Sequence, residues 1–537
     1  MPSGFHSGEL AQKFDDLGTH SRRVTTDSYE AQLWFDQGFA WLHGFNHDEA
    51  IRAFTKATEL DPECAMAWWG IAFAHGPNYN DPMMDDARNI AAWAAITEAQ
   101  RHADRASPVE KALIGALAAR YFDPSVNVEA EDPRGGLDQL YADAMGRVWE
   151  RFPDDPDVGA LAAEARMNLR PWKLYDEVTR EPKGNTSEIV AMLDEVLELD
   201  PNHPGALHLY IHAIEPSKRP EHALFAADRL MGMMPSSGHM QHMPSHIYVQ
   251  SGDWAKAIIS NQKAMQADRT YTAMQPLQGI QTGYRIHNAH MLAFAAMMSG
   301  REWEAMAAAK AQWELVPMEM IPMIGPFIDQ WMCSVYDVQK RFGRWDDLLG
   351  EPMPPEGLPI TLAVYHAHRA VAYAAKHEFD NARAELGLFR AAREALPEER
   401  RFGEFGADDM LAVSDLFIRG EIALQEGRNS QAIELLEEAI EAEDRLGYGE
   451  PPQWLQPTRH TLGALYLSID EPAKAERVYR DDLAKWKENG WSLFGLMRAL
   501  EEQGRAAEAE EVKARYREAW KFADERATTS CKCIDRT

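Results

Sequence analysis

Apolar and polar positions alternate along most of this chain with the three- and four-residue spacing of helices that bury one face. Residues 31–62 read AQLWFDQGFAWLHGFNHDEAIRAFTKATELDP. Small residues at Gly38 and Ala50 would let two such helices approach closely, and Pro62 ends the second because proline cannot continue a helix. We find no sustained period-two alternation bounded by turn residues, so the pattern predicts helical hairpins rather than strands.

The hairpin pattern returns along the chain. The ELDP sequence of residues 59–62 recurs at 198–201, and the glycine–alanine interval of twelve residues recurs near the C-terminus. The later intervals are Gly420–Ala432 and Gly463–Ala475.

This recurring unit resembles the tetratricopeptide repeat (TPR), a helix–turn–helix of 34 residues. The resemblance covers roughly residues 29–76 and 140–520. It implies an all-α fold, an α-solenoid of about ten TPR-like hairpins with a concave face.

Four regions follow from the repeats and the segments that interrupt them. They are an N-terminal segment (1–28), a solenoid with a histidine-lined groove (29–350), C-terminal repeats (361–523) and a tail (524–537). We expect loops at five Gly-, Pro- or acid-rich interruptions. These are residues 77–107, 123–136, 171–186, 268–282 and 351–360.

Charge excludes two classes of partner. The 537 residues carry 55 Lys and Arg against 85 Asp and Glu, a net charge of −30. Nucleic acid and anionic membranes both select basic surfaces, so we expect neither as a partner. No apolar run reaches the roughly 18 residues of a membrane span.

Cysteine is scarce, with four residues in the chain. A disulfide framework is therefore not expected, and a reducing cytoplasm is the predicted location. Cys531 and Cys533 form a CxC pair in the tail. Their thiolates could both reach one soft ion, or they could be inert thiols in a frayed tail.

Histidines carry the main chemical signal. Eight of the 19 fall between residues 208 and 290, and seven of these eight lie on the first helices of three consecutive predicted hairpins. The repeats start at Pro204, Gly238 and Ile286, and in the resembled family positions two, five and nine face the groove. Seven of those nine positions are histidine: His208, His212, His239, His242, His246, His287 and His290.

The helical spacing supports a shared site independently of the family. Residues three, four and seven apart lie on one helix face, which aligns His208 with His212 and also with Glu215. Imidazole is the commonest protein ligand for borderline metals. We predict metal ligands at six positions and acid–base roles for Glu215 and His239. The six are His208, His212, His242, His246, His287 and His290.

The ligand set favours a transition metal, namely copper, zinc or iron, as one or two ions. Oxygen ligands are too few for a hard cation. Five methionines near the cluster would favour copper(I), although helix packing explains them as well. They are Met231, Met233, Met234, Met240 and Met243. We further expect the GPNYND loop (76–81) to cover the groove, and Trp69 and Phe73 either to flank a substrate or to pack in the core.

Three functions remain open from the sequence. The histidine lining favours a metalloenzyme acting on a small molecule in the groove, with oxidation preferred to hydrolysis. The alternatives are a non-catalytic TPR scaffold binding a protein or peptide partner, and a metal storage or delivery protein. Lys, Arg and Asn usually line a groove that binds a peptide carboxylate, and here histidine lines it. If the groove binds no metal, its histidines would be partly exposed polar residues.

Overall fold

The computed structural model describes residues 11–125, 133–275, 279–316, 318–398, 400–402, 405–524 and 526–534. Regular structure in these residues is almost entirely helical, which confirms the all-α solenoid class. The exception is a short hairpin of β1 (Arg401–Phe402) and β2 (Phe405–Gly406). Strands of two residues are too short to leave a periodic pattern in the sequence. No helix of the described part combines the length and apolar character needed to cross a bilayer.

The chain divides into two compact units. The first unit comprises Met1–Ile247 and Lys263–Thr282, and the second comprises Tyr248–Gln262 and Gly283–Thr537. This division falls inside the region 29–350, which the repeat pattern treats as continuous. The sequence does not mark the division, because each hairpin repeats the same local pattern whichever neighbours it packs against.

Like α14 (Gly279–Met298), the first twelve described helices in chain order begin in the first unit. They are α1 (Tyr29–His43), α2 (His47–Leu60), α3 (Ala65–His75), α4 (Asp86–Arg101), α5 (Pro108–Ala118), α6 (Pro133–Arg151), α7 (Pro156–Met167), α8 (Thr186–Leu199), α9 (Pro204–Ile214), α10 (Leu224–Leu230), α11 (Gly238–His242) and α12 (Pro244–Ser251).

The remaining described helices continue to the C-terminus, and the unit boundary crosses α12, α13 and α14. They are α13 (Trp254–Met274), α14 (Gly279–Met298), α15 (Glu302–Glu314), α16 (Ile321–Ile328), α17 (Ser334–Arg341), α18 (Trp345–Gly350), α19 (Pro359–Ala375), α20 (Phe379–Glu394), α21 (Ala407–Gln425), α22 (Asn429–Arg445), α23 (Thr458–Ser468), α24 (Pro472–Lys485), α25 (Gly490–Glu502) and α26 (Ala506–Ala519).

Glycines set the approach of paired helices. A methyl group added at Gly38 on α1 would lie 2.7 Å from ring carbons of Phe54 on α2, and one at Gly70 on α3 would meet the same ring from the other side. The partner lies 16 residues after the glycine again at Gly420 with Leu436 and at Gly463 with Tyr479. Each large side chain therefore fills the space that a missing Cβ leaves, as the repeat pattern predicts.

Sharp turns between paired helices use one residue with positive φ. Phe45 between α1 and α2 has φ 54°, and His377 and Asp470 occupy the same place between later pairs. Glycine does so at Gly427 and Gly504. Because this backbone conformation disfavours side chains, the non-glycine examples are held by the packing around them.

Two of the predicted loops contain long helical stretches. The segment 268–282 is largely helical, since α13 runs to Met274 and α14 begins at Gly279. The third histidine helix therefore starts seven residues before the predicted Ile286. Likewise α4 lies inside the predicted loop 77–107. Both segments were predicted as loops from their Gly, Pro and acidic residues, but such residues do not prevent a helix whose other residues pack against its neighbours.

We expect Gly38→Ala to lower the free energy of unfolding by about 1–3 kcal/mol, since the added methyl overpacks the α1–α2 contact. Gly115 is the matched control, because it lies in the middle of α5 and a methyl added there meets nothing within 4 Å. Gly115→Ala should raise stability by about 0.5–1 kcal/mol through helix propensity. Urea unfolding followed by circular dichroism measures both. Equal shifts in the same direction would contradict the packing role.

Candidate metal centre

Helix α9 carries the first histidine pair and is anchored at its start. Its N-cap is His203, whose Nδ1 accepts a hydrogen bond from the backbone N–H of Ala206 at 3.0 Å. The other ring nitrogen of His203 lies 3.1 Å from Asp157 on α7. Helix α9 begins at Pro204, as predicted, so His208 and His212 lie on one face, one turn apart.

The second histidine row crosses a break in the helix. Helix α11 starts at the predicted Gly238 and ends at His242, and Pro244 begins α12. Proline cannot donate a backbone hydrogen bond, which explains the interruption. The row nevertheless stays together, since the ring centroids of His242 and His246 are 4.6 Å apart across the break.

Three imidazoles from these two rows converge. His208, His212 and His239 each offer a ring nitrogen, and these ligand atoms lie within 4.8 Å of one another. His208 Nε2 and His239 Nε2 are 3.1 Å apart. All three side chains are buried, with His208 and His212 at 0% exposure. The alternative of partly exposed groove histidines is therefore wrong for this triad.

Backbone geometry fixes the tautomer of His208. Its Nδ1 lies 2.7 Å from the carbonyl oxygen of His43, so we assign the ring proton to Nδ1 as the donor. A neutral imidazole has one N–H, and Nε2 of His208 then presents a lone pair towards His239.

Glu215 fixes the tautomers of two further imidazoles, those of His212 and His246. One carboxylate oxygen accepts from His212 Nδ1 at 2.7 Å, and the other bonds His246 Nδ1. His212 Nε2 is therefore left with a lone pair, and it is buried without a hydrogen-bond partner among the described residues. A carboxylate behind a ligating histidine fixes ring orientation and raises its basicity.

The electrostatics keep these rings neutral and the carboxylate charged. Burial, followed by the neighbouring imidazole of His212, holds the pKa of His208 well below its ordinary value. Burial and the ring of His208 do the same for the pKa of His239. Burial alone would raise the pKa of Glu215, but His246 and His212 hold it well below the usual range. Neutral imidazoles are the form that binds metal.

His242 and His246 extend the cluster behind Glu215. His242 Nε2 lies 2.6 Å from His246 Nε2. Because His246 donates from Nδ1 to Glu215, its Nε2 accepts and His242 is the donor. The result is a hydrogen-bonded row from His242 through His246 to the carboxylate.

Three aromatic side chains surround the triad. The Phe45 ring is 4.4 Å from that of His208, centroid to centroid, and Tyr79 and Trp172 lie 5.2 and 5.4 Å from His212. Tyr79 belongs to the GPNYND loop, so this loop does cover the histidines. Trp172 has φ 61°, a strained value for a bulky residue. Sequence reasoning missed Phe45 and Trp172, because neither occupies a groove position of the repeat.

The last two predicted ligands belong to the second unit. His290 is buried, and burial lowers its pKa to about 4. The ring of His287 lies 5.7 Å from that of Trp331. A common site with the first-unit histidines stays a prediction for both.

The neighbouring aromatic and thioether side chains have packing roles. Trp69 and Phe73 are both buried and pack on each other with centroids 5.2 Å apart. Met240 is fully buried and lies against Gly44, and Met234 lies against Gly18. These contacts favour the packing interpretation over copper(I) ligation.

A second polar cluster lies beside the triad and is closed by an ion pair. His20 and His203 both bond Asp157 Oδ1, at 2.8 and 3.1 Å. The other carboxylate oxygen accepts from Arg22 at 2.8 Å. Together with His43, the two histidines and Asp157 bring ligand atoms within 4.8 Å of one another. The donors from Arg22, His20 and His203 already occupy both oxygens of Asp157, however, which favours a structural role.

Comparison with known proteins identifies the repeat. The tetratricopeptide repeat model matches residues 31–64. No curated protein matches the chain.

Solved structures with many helices align over most of the chain at low similarity. A human IFIT1 dimer with m7Gppp-AAAA is 14% identical over 94% of this chain and 92% of its own, with a TM-score of 0.32. Yeast Tom70 is 11% identical over 91% and 90%, with a TM-score of 0.26. Likeness at this level says nothing about a ligand. The family model shows a tetratricopeptide repeat at residues 31–64, and the same glycine spacing recurs in the hairpins of the C-terminal helices.

Proposed function

We propose that the first unit is a transition-metal-binding unit whose ligands are Nε2 of His208, His212 and His239. The observation that carries the proposal is the convergence of three buried imidazole nitrogens, two of which belong to rings whose opposite nitrogen is already committed. His208 is tied to the carbonyl of His43, and His212 is tied to Glu215. In a protein interior, a lone pair directed at other lone pairs is costly unless a cation or proton lies between them.

The spacing of two of the three donors fits a shared ion. Metal–nitrogen bonds of about 2.0–2.1 Å would separate two ligand nitrogens of one ion by about 3.0–3.4 Å. The 3.1 Å between His208 and His239 agrees with this. Three neutral nitrogen donors suit zinc, copper or iron and leave a position for water or substrate.

Bound metal would supply Lewis acidity or redox chemistry, and the protein would supply position and proton handling. In this arrangement His239 is a ligand, and Glu215 is a positioning residue rather than the acid–base group that its sequence position suggested. The row from His242 through His246 ends on the Glu215 carboxylate and holds it in position behind His212. Oxidation remains the preferred reaction, with a small molecule held by Phe45, Tyr79 and Trp172.

Metal content tests the proposal directly. Protein purified without a histidine tag should contain, or take up on titration with Co²⁺, about one equivalent of metal in the first unit. The Co²⁺ absorption spectrum should show nitrogen ligation. Protein that neither contains metal nor binds Co²⁺ would exclude the site and leave the histidines as a polar core.

A protein-binding scaffold is the second candidate, and the recognised repeat favours it, because most tetratricopeptide-repeat proteins are interaction modules. The two candidates respond differently to chelation. A partner protein that a pull-down recovers in equal amounts with and without EDTA would support the scaffold function. Binding that is lost with EDTA and restored by Zn²⁺ would tie the partner to the metal centre.

A further inference from the structure

The C-terminal CxC forms a second chemical site, inside the second unit. Cys531 and Cys533 are joined by a disulfide, and both are buried. The sequence expectation of a frayed tail with inert thiols is therefore wrong. The physical reason is that the tail packs against the repeats: Ser530 Oγ donates to the carbonyl of His460 at 2.8 Å, and Arg341 donates to the Ser530 carbonyl at 3.2 Å.

A buried carboxyl group faces the disulfide. Glu421 on α21 is 1% exposed, and its Oε1 lies 3.1 Å from Cys533 Sγ. Side-chain hydrogen bonds from Thr461 and Gln425 also act on this carboxyl group. Thr461 on α23 places its hydroxyl 3.2 Å from Cys531 Sγ. Cys533 Sγ is therefore the sulfur nearer the carboxyl group, whereas Cys531 Sγ lies 4.0 Å from the same oxygen and is closer to the hydroxyl.

The carboxyl–sulfur contact links the disulfide to a proton. Sulfur in a disulfide carries no hydrogen, so a carboxylate there would face a group that cannot donate, whereas a protonated carboxyl can donate to it. After reduction, the thiol of Cys533 can donate to the carboxylate instead. Reduction of the disulfide therefore favours deprotonation of Glu421, and the two events are coupled.

We infer that Cys531 and Cys533 are a redox-active pair that exchanges with small dithiols, with Glu421 as the acid that protonates the leaving sulfur. A thiolate of the dithiol bonds to Cys531 Sγ while the Cys531–Cys533 bond breaks. The electron pair leaves on Cys533, which takes the proton of Glu421.

The second thiol of the same molecule completes the exchange. It bonds to the first sulfur of the dithiol and displaces Cys531, whose thiolate takes the proton that this thiol loses. Glu421 regains from solvent the proton released by the first thiol. Two electrons and two protons pass from the dithiol to the protein, and the dithiol becomes a cyclic disulfide.

The electrostatics of the pocket suit an acid that works near neutral pH. Burial raises the pKa of Glu421 to about 7, opposed by the nearby ammonium of Lys340. Lys340 on α17 is itself buried, which lowers its pKa to about 8, and Asp337 opposes that shift. Among the described residues, Lys340 is the charged group that acts on Glu421. The carboxyl is thus protonated at neutral or lower pH and loses its proton as pH rises through about 7.

Dithiothreitol is the probe for this site. The native full-length protein should expose two additional thiols to alkylation after dithiothreitol treatment, counted by intact mass. The thiolate fraction of dithiothreitol rises with pH, so the reduction rate is divided by that fraction. The normalised rate should fall as pH rises through 7. Glu421→Gln should slow reduction at pH 7 by about 100-fold and abolish this pH dependence, because the amide cannot supply the proton.

Glu443→Gln is the matched control. Glu443 is a buried glutamate of α22 whose carboxylate accepts a hydrogen bond from the backbone N–H of Thr458 at 2.9 Å. In the Glu443→Gln protein, the disulfide should be reduced at the wild-type rate. Circular dichroism checks that each variant folds. Reduction that requires urea, or a Glu421→Gln protein with the wild-type rate and pH profile, would overturn the inference.

A second variant makes the test independent of the carboxyl. Cys533→Ser leaves Cys531 without its partner sulfur, and in the native protein this thiol should form a stoichiometric mixed disulfide with Ellman's reagent. The remaining cysteines, Cys64 and Cys333, are buried and should stay unlabelled. Failure of Cys531 to react in the folded protein would mean that the disulfide is a structural clasp.

Discussion

A protein in which His208 and His212 are both replaced by alanine is expected to bind no Zn²⁺ or Co²⁺ in its first unit. Two of three nitrogen donors are then missing, and the one remaining donor, His239, cannot hold a borderline metal against water. Isothermal titration with Zn²⁺ and the Co²⁺ spectrum measure the loss. Helicity should remain close to wild type, because alanine is the best helix former.

The matched control is His222→Ala, an exposed histidine of the first unit. It should keep wild-type metal affinity. Equal loss in both proteins would point to adventitious binding by surface imidazole, and unfolding of the double variant would mean that these rings act as core.

Glu215→Gln separates the role of a positioning residue from that of a ligand. The amide keeps the size of the carboxylate, but its NH₂ cannot accept from a ring N–H, so either His212 or His246 must change tautomer or lose its bond. We expect metal affinity to fall by about 10–100-fold, less than the loss in the double alanine variant. An affinity equal to wild type would remove Glu215 from the centre.

Asp157→Asn is expected to lower the free energy of unfolding of the first unit by about 3 kcal/mol. This value lies near the lower end of the range that is typical when one partner of a buried ion pair is removed. The buried guanidinium of Arg22 keeps Asp155, and His20 and His203 lose a charged acceptor. Because His203 also caps α9, we expect the metal triad to loosen as well. The urea midpoint of the first unit measures the effect.

The pH dependence of this difference has a definite sign. Burial would raise the pKa of Asp157, but its bonds to His20 and His203 and the charge of Arg22 hold it well below the usual value. The contribution of Asp157 to the free energy of unfolding is therefore fully present above its unfolded-state pKa of about 3.9 and is lost as pH falls below that value. The pKa of His20 is raised, since Asp157 outweighs burial, so that contribution is complete below about 6.5 and fades at higher pH.

The gap between wild type and Asp157→Asn should consequently be widest between about pH 4 and 6.5. Asp27→Asn is the control, because Asp27 pairs with Arg105 at the surface and should leave the urea midpoint unchanged. A gap that is the same at pH 3 and pH 5 would contradict the ion-pair account.

Local periodicity was enough to predict much of this protein. The twelve-residue interval from Gly38 to Ala50 predicted which helices pair, because a missing Cβ is useful only where another helix approaches. The spacing of His208 and His212 placed them on one face, because the helix repeat fixes that geometry within a single element. The start of α9 at Pro204 and of α11 at Gly238 followed from the same pattern.

Tertiary structure decided which of these residues act together. The His43 carbonyl that orients His208 is 165 residues away, and the carboxyl of Glu421 is 112 residues from Cys533. Each hairpin carries nearly the same pattern of apolar residues, so the sequence could specify faces but not the contacts between distant segments. Those contacts are fixed by the packing of whole helices, which alone brings lone pairs, carboxylates and aromatic rings within bonding distance of one another.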